Sequence, residues 1–301
     1  VQSDVFQLGA ITDELSPDVD RALEMALQFG LQYVEVHTLW GENLETLQNE
    51  DWARFRQAVD GCDLQVCCLA STAFLRCSLG GEGGFKASLG YPSIAGEYED
   101  HLEALGRSLE RAGELGAPLV RIFGFWRQGP TTEETYERIA ERFQKPLRMA
   151  QSAGVRLAVE TCPHTYLDWG GRAAKLVARL NSSWLGVLWD PAGAVRAGDL
   201  NYMDAYPKLA PWLAHVHAKD IRLDPGLERG RAYVPVGQGQ IDWAGILGHL
   251  ARDGYGGVVS LETHHLGADG TKETAAAASM KGLKGIYRDA LSLQGGRRRV
   301  N

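Results

Sequence analysis

The chain has no apolar run approaching the roughly 18 residues a membrane helix needs, and no basic stretch leading into an apolar segment near its start. Neither a membrane span nor a secretory signal is therefore expected. A basic surplus is also missing: 31 Lys and Arg stand against 38 Asp and Glu, for a formal charge of −7. A chain of that sign has no general attraction to phosphodiester backbones or anionic lipid, which excludes nucleic acid and membrane surfaces as expected partners. The one basic cluster, Arg297, Arg298 and Arg299, reads as a solvated tail. Cysteine is sparse: Cys62, Cys67, Cys68, Cys77 and Cys162 are odd in number, unevenly spaced and without a CxxC pair. That excludes a disulfide framework and a thiolate zinc site, and it fits reduced thiols in a cytoplasmic protein. No linker, internal repeat or low-complexity tract divides the 301 residues, so one domain spanning 1–301 is expected.

What is present is enough apolar material for a large core, with 45% hydrophobic and 23% charged residues. Short β-rich apolar runs fall at 6–12, 33–38, 64–71, 119–125, 155–161, 185–190, 213–219 and 257–263. Helical patterns follow them at 17–30, 51–59, 98–115, 132–153, 171–180, 202–209, 242–251 and 272–291, the first opened by the cap-like Ser16 and Pro17 and ended by Gly30. Strict β/α alternation builds either an open doubly wound sheet or a closed barrel. No GxGxxG turn follows the first strand, and eight repeats favour closure, so the fold class is α/β, a single (β/α)8 TIM barrel. The Gly-rich segment 72–96 reads as one long loop on the catalytic face, placed to act as a lid.

In such a barrel, chemistry sits where strands run into the loops that follow them. The fifth, sixth and eighth runs end in Glu160, Asp190 and Glu262, and the seventh carries His215, His217 and Lys219 on one face. Carboxylates converging on one rim raise each other's pKa unless a cation compensates them, which points to a bound metal. Three carboxylates and one imidazole form a hard donor set that favours Mn²⁺, Mg²⁺ or Co²⁺ and still admits Zn²⁺. Two octahedral positions would stay open for adjacent substrate oxygens, as in an α-hydroxy carbonyl; this is isomerase or epimerase chemistry on a small carbohydrate, through a metal-bound enediolate.

The motifs LAVET at 157–161, VLWDPAG at 187–193, HVHAKD at 215–220, PVGQGQIDW at 235–243 and GYGGVVSLETHH at 254–265 carry a resemblance. By them the chain resembles the xylose-isomerase-like TIM-barrel superfamily of sugar and sugar-phosphate isomerases and epimerases. The resemblance implies Glu160, Asp190, His217 and Glu262 as ligands of one divalent metal, with Glu160 and Glu262 as the proton-transfer pair. It places His215 behind the ligands or facing the substrate, and gives Lys219 and Arg222 to a substrate hydroxyl, carboxylate or phosphate. It also makes a homodimer compatible. The ketose 3-epimerases of this superfamily carry a further acid and a further His where this chain has Tyr166 and Gly193. That departure leaves room for another isomerase, or for a dehydratase or lyase acting on a keto-sugar or cyclic polyol.

His164 and Tyr166 lie just past Glu160 as alternative acid–base or substrate-binding groups, since histidine titrates near neutrality. Trp40, Trp126 and Trp189 read as core packing first and as a wall against a sugar face second, Trp126 being the one assigned to substrate. Glu35 and Arg121 are expected to pair inside the barrel. An endonuclease IV-like phosphodiesterase is the rival enzyme, but Gly193 stands where that family has a His and His215 where it has an acid. A non-catalytic sugar-binding barrel is the rival of another class, and the complete set of candidate ligands argues against it.

Overall fold

In a closed parallel barrel each strand hides one set of alternate side chains inside the barrel and the other under the surrounding helices, so both sets avoid water. The computed structural model describes residues 6–80 and 92–297, and its strands have that character. They are β1 (Gln7–Ile11), β2 (Tyr33–Val36), β3 (Gln65–Leu69), β4 (Leu119–Phe123), β5 (Arg156–Glu160), β6 (Leu185–Trp189), β7 (Leu213–Ala218) and β8 (Val258–Leu261). Every neighbouring pair is parallel, and β1 pairs with both β2 and β8, which closes the ring. The eight strands match the sequence expectation to within two residues at each end. No helix among the described residues is long and apolar enough to cross a membrane.

The helices differ from expectation where local chemistry intervenes. The first long one runs Val19–Gln28 and is capped by Asp18, whose carboxylate accepts the Arg21 N–H at 2.8 Å, rather than by Ser16. The Ser16 hydroxyl instead donates to Glu273 at 2.6 Å, tying the first loop to the last helix. The segment 132–153 is two helices, Glu133–Arg142 and Gln144–Ala153. Pro146 explains the break: it has no N–H for the Arg142 carbonyl and its ring would collide with that group, yet it is tolerated in the first turn of the second helix. The segment 202–209 is a 3₁₀ turn, Tyr202–Ala205, followed by the short helix Tyr206–Leu209.

Beyond the expected elements, an antiparallel hairpin of Asp220–Leu223 and Arg231–Val234 rises from the end of β7. The buried Asp220 organises the chain that follows it. Its carboxylate accepts four backbone N–H groups, from Ile221 at 2.9 Å, Gly237 at 2.9 Å, Gly239 at 3.0 Å and Ile241 at 3.1 Å. Of the expected loop 72–96, residues 81–91 lie outside the described residues; before them Phe74, Leu75, Cys77 and Leu79 are buried. Arg298 and Arg299 of the basic tail also lie outside them.

In the last helix, Lys272–Arg297, Gly282 and Gly285 have contrasting surroundings. A Cβ at Gly282 would stand 2.0 Å from the Val236 carbonyl oxygen, whereas one at Gly285 would meet nothing within 4 Å. Helix propensity alone predicts that either Gly→Ala change stabilises by about 1 kcal/mol. Urea unfolding should show that gain for Gly285→Ala, and for Gly282→Ala a net loss of roughly 1–3 kcal/mol from overpacking.

Candidate active site

Alternation along β7 stacks His215, His217 and the following Lys219 on the interior of the barrel, and all three are buried. They meet the interior residues of β2, β5 and β8 at successive depths. Deepest, His215 Nε2 lies 2.9 Å from Glu35 Oε2 and 3.0 Å from Ser260 Oγ. One level up, His217 Nε2 lies 3.2 Å from each Glu35 oxygen. A carboxylate can only accept, so Glu35 holds a proton on Nε2 and turns the opposite nitrogen of His217 outward, where it can bind a proton or a metal.

That nitrogen, Nδ1, is buried, 3.0 Å from Glu262 Oε2 and 3.8 Å from Glu160 Oε1. Between two carboxylates this nitrogen holds a proton, which is why the ring's pKa is raised, and a metal ion bound there would take that proton's place. Ligand atoms of Glu160, His217 and Glu262 lie within 4.8 Å of one another, so these three residues can hold a metal ion. A second such group is Glu35, His215 and His217, whose atoms already satisfy one another by hydrogen bonds.

Burial opposes charge on every one of these groups, and their partners decide the outcome. Burial would raise the Glu160 carboxyl, but the Arg121 guanidinium at 3.0 Å and His217 together outweigh it and hold the group below its ordinary range. Burial is likewise outweighed at Glu262, chiefly by Lys219 and His217, so that carboxyl falls well below it. At Asp190 burial prevails over Lys219 and the pKa is raised. Burial would lower His217 and Lys219, yet Glu35 and Glu262 raise the first, and Asp190 and Glu262 raise the second, well above their ordinary values.

Asp190 stands slightly apart from the trio. Its Oδ1 caps the short helix Pro191–Arg196 through the Gly193 N–H at 2.8 Å, and its Oδ2 lies 3.1 Å from Lys219 Nζ. Lys219 also donates to Glu262, so its ammonium bridges the two carboxylates. A Cβ at Gly193 would come within 2.4 Å of Asp190 Oδ2, so a side chain there would displace the carboxylate from its cap.

A cavity of about 650 Å³ opens above these groups at the carboxyl ends of the strands, with Glu160, Asp190, Lys219 and Glu262 among its walls. His164 lines it too, but burial and the positive charge of Arg196 push its pKa down to about 4, so it does not titrate near neutrality as its residue type suggests. Four residues expected to touch substrate lie elsewhere. Tyr166 turns into the core, its hydroxyl accepting the Gln128 N–H at 3.3 Å. Arg222 points outward on the hairpin and donates to the Gln238 carbonyl at 3.2 Å. Trp126 stacks behind His164, ring centres 5.2 Å apart and nearly parallel at 6°. His215 lines a separate cavity of about 630 Å³ at the opposite end of the barrel, so its access to the strand ends runs through Glu35. The two residues expected to pair, Glu35 and Arg121, each take other partners, the histidines and Glu160.

Sequence reasoning passes over several residues of the cavity. Asp13 and Glu14, just past β1, pair with His37 at 3.2 Å and Lys272 at 2.7 Å, and searching the first strand ends as closely as the last would find them. His264, in a left-handed conformation with φ 55°, brings Nε2 to 2.8 Å from Glu262 Oε1. Arg229, Arg231 and Tyr233 enter from the hairpin, which leaves no strand-end signal.

The family profile of the xylose isomerase-like TIM barrels matches residues 23–286, and the chain belongs to that family. No curated protein matches it in sequence. Among solved structures it is similar to a xylose isomerase-like TIM barrel protein from Mycobacterium smegmatis in complex with magnesium, with a TM-score of 0.69 and 16% identity over 95% of this chain and 98% of that one. It is similar to the probable 3-DHS dehydratase AsbF of Bacillus anthracis, with a TM-score of 0.68 and 17% identity over 93% and 99% of the two chains. It is also similar to the 3-keto-D-glucoside 4-epimerase YcjR of E. coli, with a TM-score of 0.67 and 15% identity over 93% and 98%. At these identities the likeness establishes the shared fold.

The depressed His164 pKa has a measurable consequence. The unfolded chain takes up this proton first, so the contribution to stability is fully present above about pH 6.5 and is lost as the pH falls toward 4. Histidine-selective NMR should show the His164 ring neutral at pH 5, and His164→Gln should flatten that part of the stability profile.

Proposed function

We propose that the protein is a divalent-metal-dependent isomerase or epimerase of a sugar or keto-sugar, with Glu160, Asp190, His217 and Glu262 as metal ligands. The observation that carries this reading is the convergence of His217 Nδ1, Glu160 and Glu262, their ligand atoms within 4.8 Å of one another, at the foot of a cavity large enough for a sugar. Mg²⁺, Mn²⁺ or Co²⁺ suits the oxygen-rich set best, and Zn²⁺ also fits it. When bound there, the ion would polarise a substrate carbonyl and acidify the neighbouring C–H.

The protein's own groups supply the rest. Arg121 and Lys219 keep Glu160 and Glu262 ionised, so each can accept a proton from a carbon next to the carbonyl. They come from strands β5 and β8 on different sides of the cavity, which allows a proton to leave one face of the carbon and return to the other. Lys219 has three N–H bonds; Asp190 and Glu262 use two, and the third is available to a substrate oxygen.

Lys219 also favours a second reading. A buried ammonium beside the proton-accepting carboxylates can protonate a departing hydroxyl, which would make the reaction a dehydration. The two readings share the proton abstraction and differ in the product: an epimer or isomer in one, an enone absorbing in the ultraviolet in the other.

Elemental analysis should find about one divalent ion per chain, lost in a Glu262→Gln, His217→Ala double variant, and chelation should abolish turnover. Deuterium from solvent should enter a sugar carbon next to the carbonyl in the wild type and not in Glu160→Gln. Failure of the protein to take up any divalent ion would end this reading. Glu35→Gln presents an N–H to one of its two imidazoles and disturbs the tautomer, so metal affinity measured by chelator competition should fall about 10–100-fold.

A further inference from the structure

The basic groups around the cavity are not all paired. Five acids line it, and each has a basic side chain beside it within the fold: Asp13 has His37, Glu14 has Lys272, Glu160 has Arg121, and Asp190 and Glu262 share Lys219, with His264 also next to Glu262. Arg196, Arg229 and Arg231 line the same cavity, and none of the three forms an ion pair with a carboxylate among the described residues.

Arg196 contacts neutral groups, and Arg229 and Arg231 are exposed at the cavity mouth. Arg196 Nη2 lies 3.1 Å from His164 Nε2, and its Nη1 lies 3.5 Å from the Tyr233 hydroxyl. The Arg196 and Arg231 charges both reach His164 and help burial to keep that ring neutral. His164 therefore serves as an acceptor that orients Arg196, with Trp126 stacked behind it. Arg196 comes from the loop region after β6 and Arg229 and Arg231 from the hairpin after β7, so two separate excursions of the chain deliver positive charge to one side of the cavity. Uncompensated guanidinium groups gathered in one place repel each other, and a chain with a net charge of −7 has ample carboxylates with which to pair them. Left unpaired around a cavity, they form a fork-shaped donor set suited to a planar or tetrahedral oxyanion.

We infer that the substrate carries an oxyanion, a carboxylate or a phosphate, seated by Arg196, Arg229 and Arg231, while its carbonyl end lies over Glu160 and Glu262. The second half of that statement rests on the proposed function; the anion seat itself does not. The reaction's substrate class is then a sugar acid or sugar phosphate rather than a neutral sugar.

Calorimetric titration of the metal-loaded protein with glucose, glucuronate and glucose 6-phosphate tests this. At least one of the two anionic sugars should bind about tenfold or more tightly than glucose, with an affinity that falls as sodium chloride rises. The acid that binds better identifies carboxylate or phosphate as the group seated. Arg196→Gln, and separately the exposed pair Arg229→Gln and Arg231→Gln, should remove that preference while metal content stays at the wild-type level. Equal or undetectable binding of all three sugars, or wild-type anion preference in both variants, overturns the inference. If no divalent ion binds but the anion preference is present and arginine-dependent, the metal chemistry falls and the anion seat stands. If metal and solvent exchange are found without anion preference, the anion seat falls alone.

Discussion

The hydrogen bond between Glu35 and His217 organises the site above it. A buried carboxylate between two imidazoles is costly unless every partner is satisfied, and here the Glu35 oxygens meet His215, His217 and, through His215, Ser260. With that network in place, His217 keeps a proton on the deep side and turns Nδ1 toward Glu160 and Glu262. Remove it, and the ring could present either nitrogen, or rotate, and the two carboxylates would face each other without a defined donor between them. The same carboxylate would make the imidazole a stronger donor to a metal.

Above this stack the interior is arranged so that each acid has a cation next to it. Arg121 reaches across from β4 to Glu160 on β5, and Lys219, one residue past β7, bridges Asp190 and Glu262. Neither pairing adds much to stability, because desolvating charges offsets most of their attraction. Their effect is to keep Glu160 and Glu262 ionised inside a buried pocket, which proton transfer from carbon requires. The mouth is built from different material. Asp220 gathers four N–H groups of the segment that follows the hairpin, and so braces the base of the element that carries Arg229, Arg231 and Tyr233 to the cavity. One end of the site is thus rigid barrel strand and the other a braced hairpin, a division that lets substrate recognition vary while the strand ends stay the same.

How much of this can be read from the residues depends on the range over which the governing interaction acts. Strand runs such as LAVET and VLWDPAG are local patterns, and so are the strand-end positions of Glu160, Asp190 and Glu262, because period-two burial and the turn into a loop are written in neighbouring residues. The barrel follows from eight such runs in alternation with helices. The family resemblance rests on the same local motifs.

Partnerships across the barrel have no such local trace. Glu35 and His217 are separated by 182 residues, and only closure of the ring places one under the other. Alone, each reads as an isolated buried polar residue. Arg222 and Tyr166 show the converse: their residue types and their nearness to site motifs suggest substrate contact, but backbone direction turns one to solvent and the other into the core. The sequence by itself therefore determined the barrel and the acids at its rim, which local periodicity encodes. The tertiary structure alone decided the orientation of His217, the pairing of each acid and the three arginines without an acidic partner among the described residues, because these depend on distances between residues far apart in the chain.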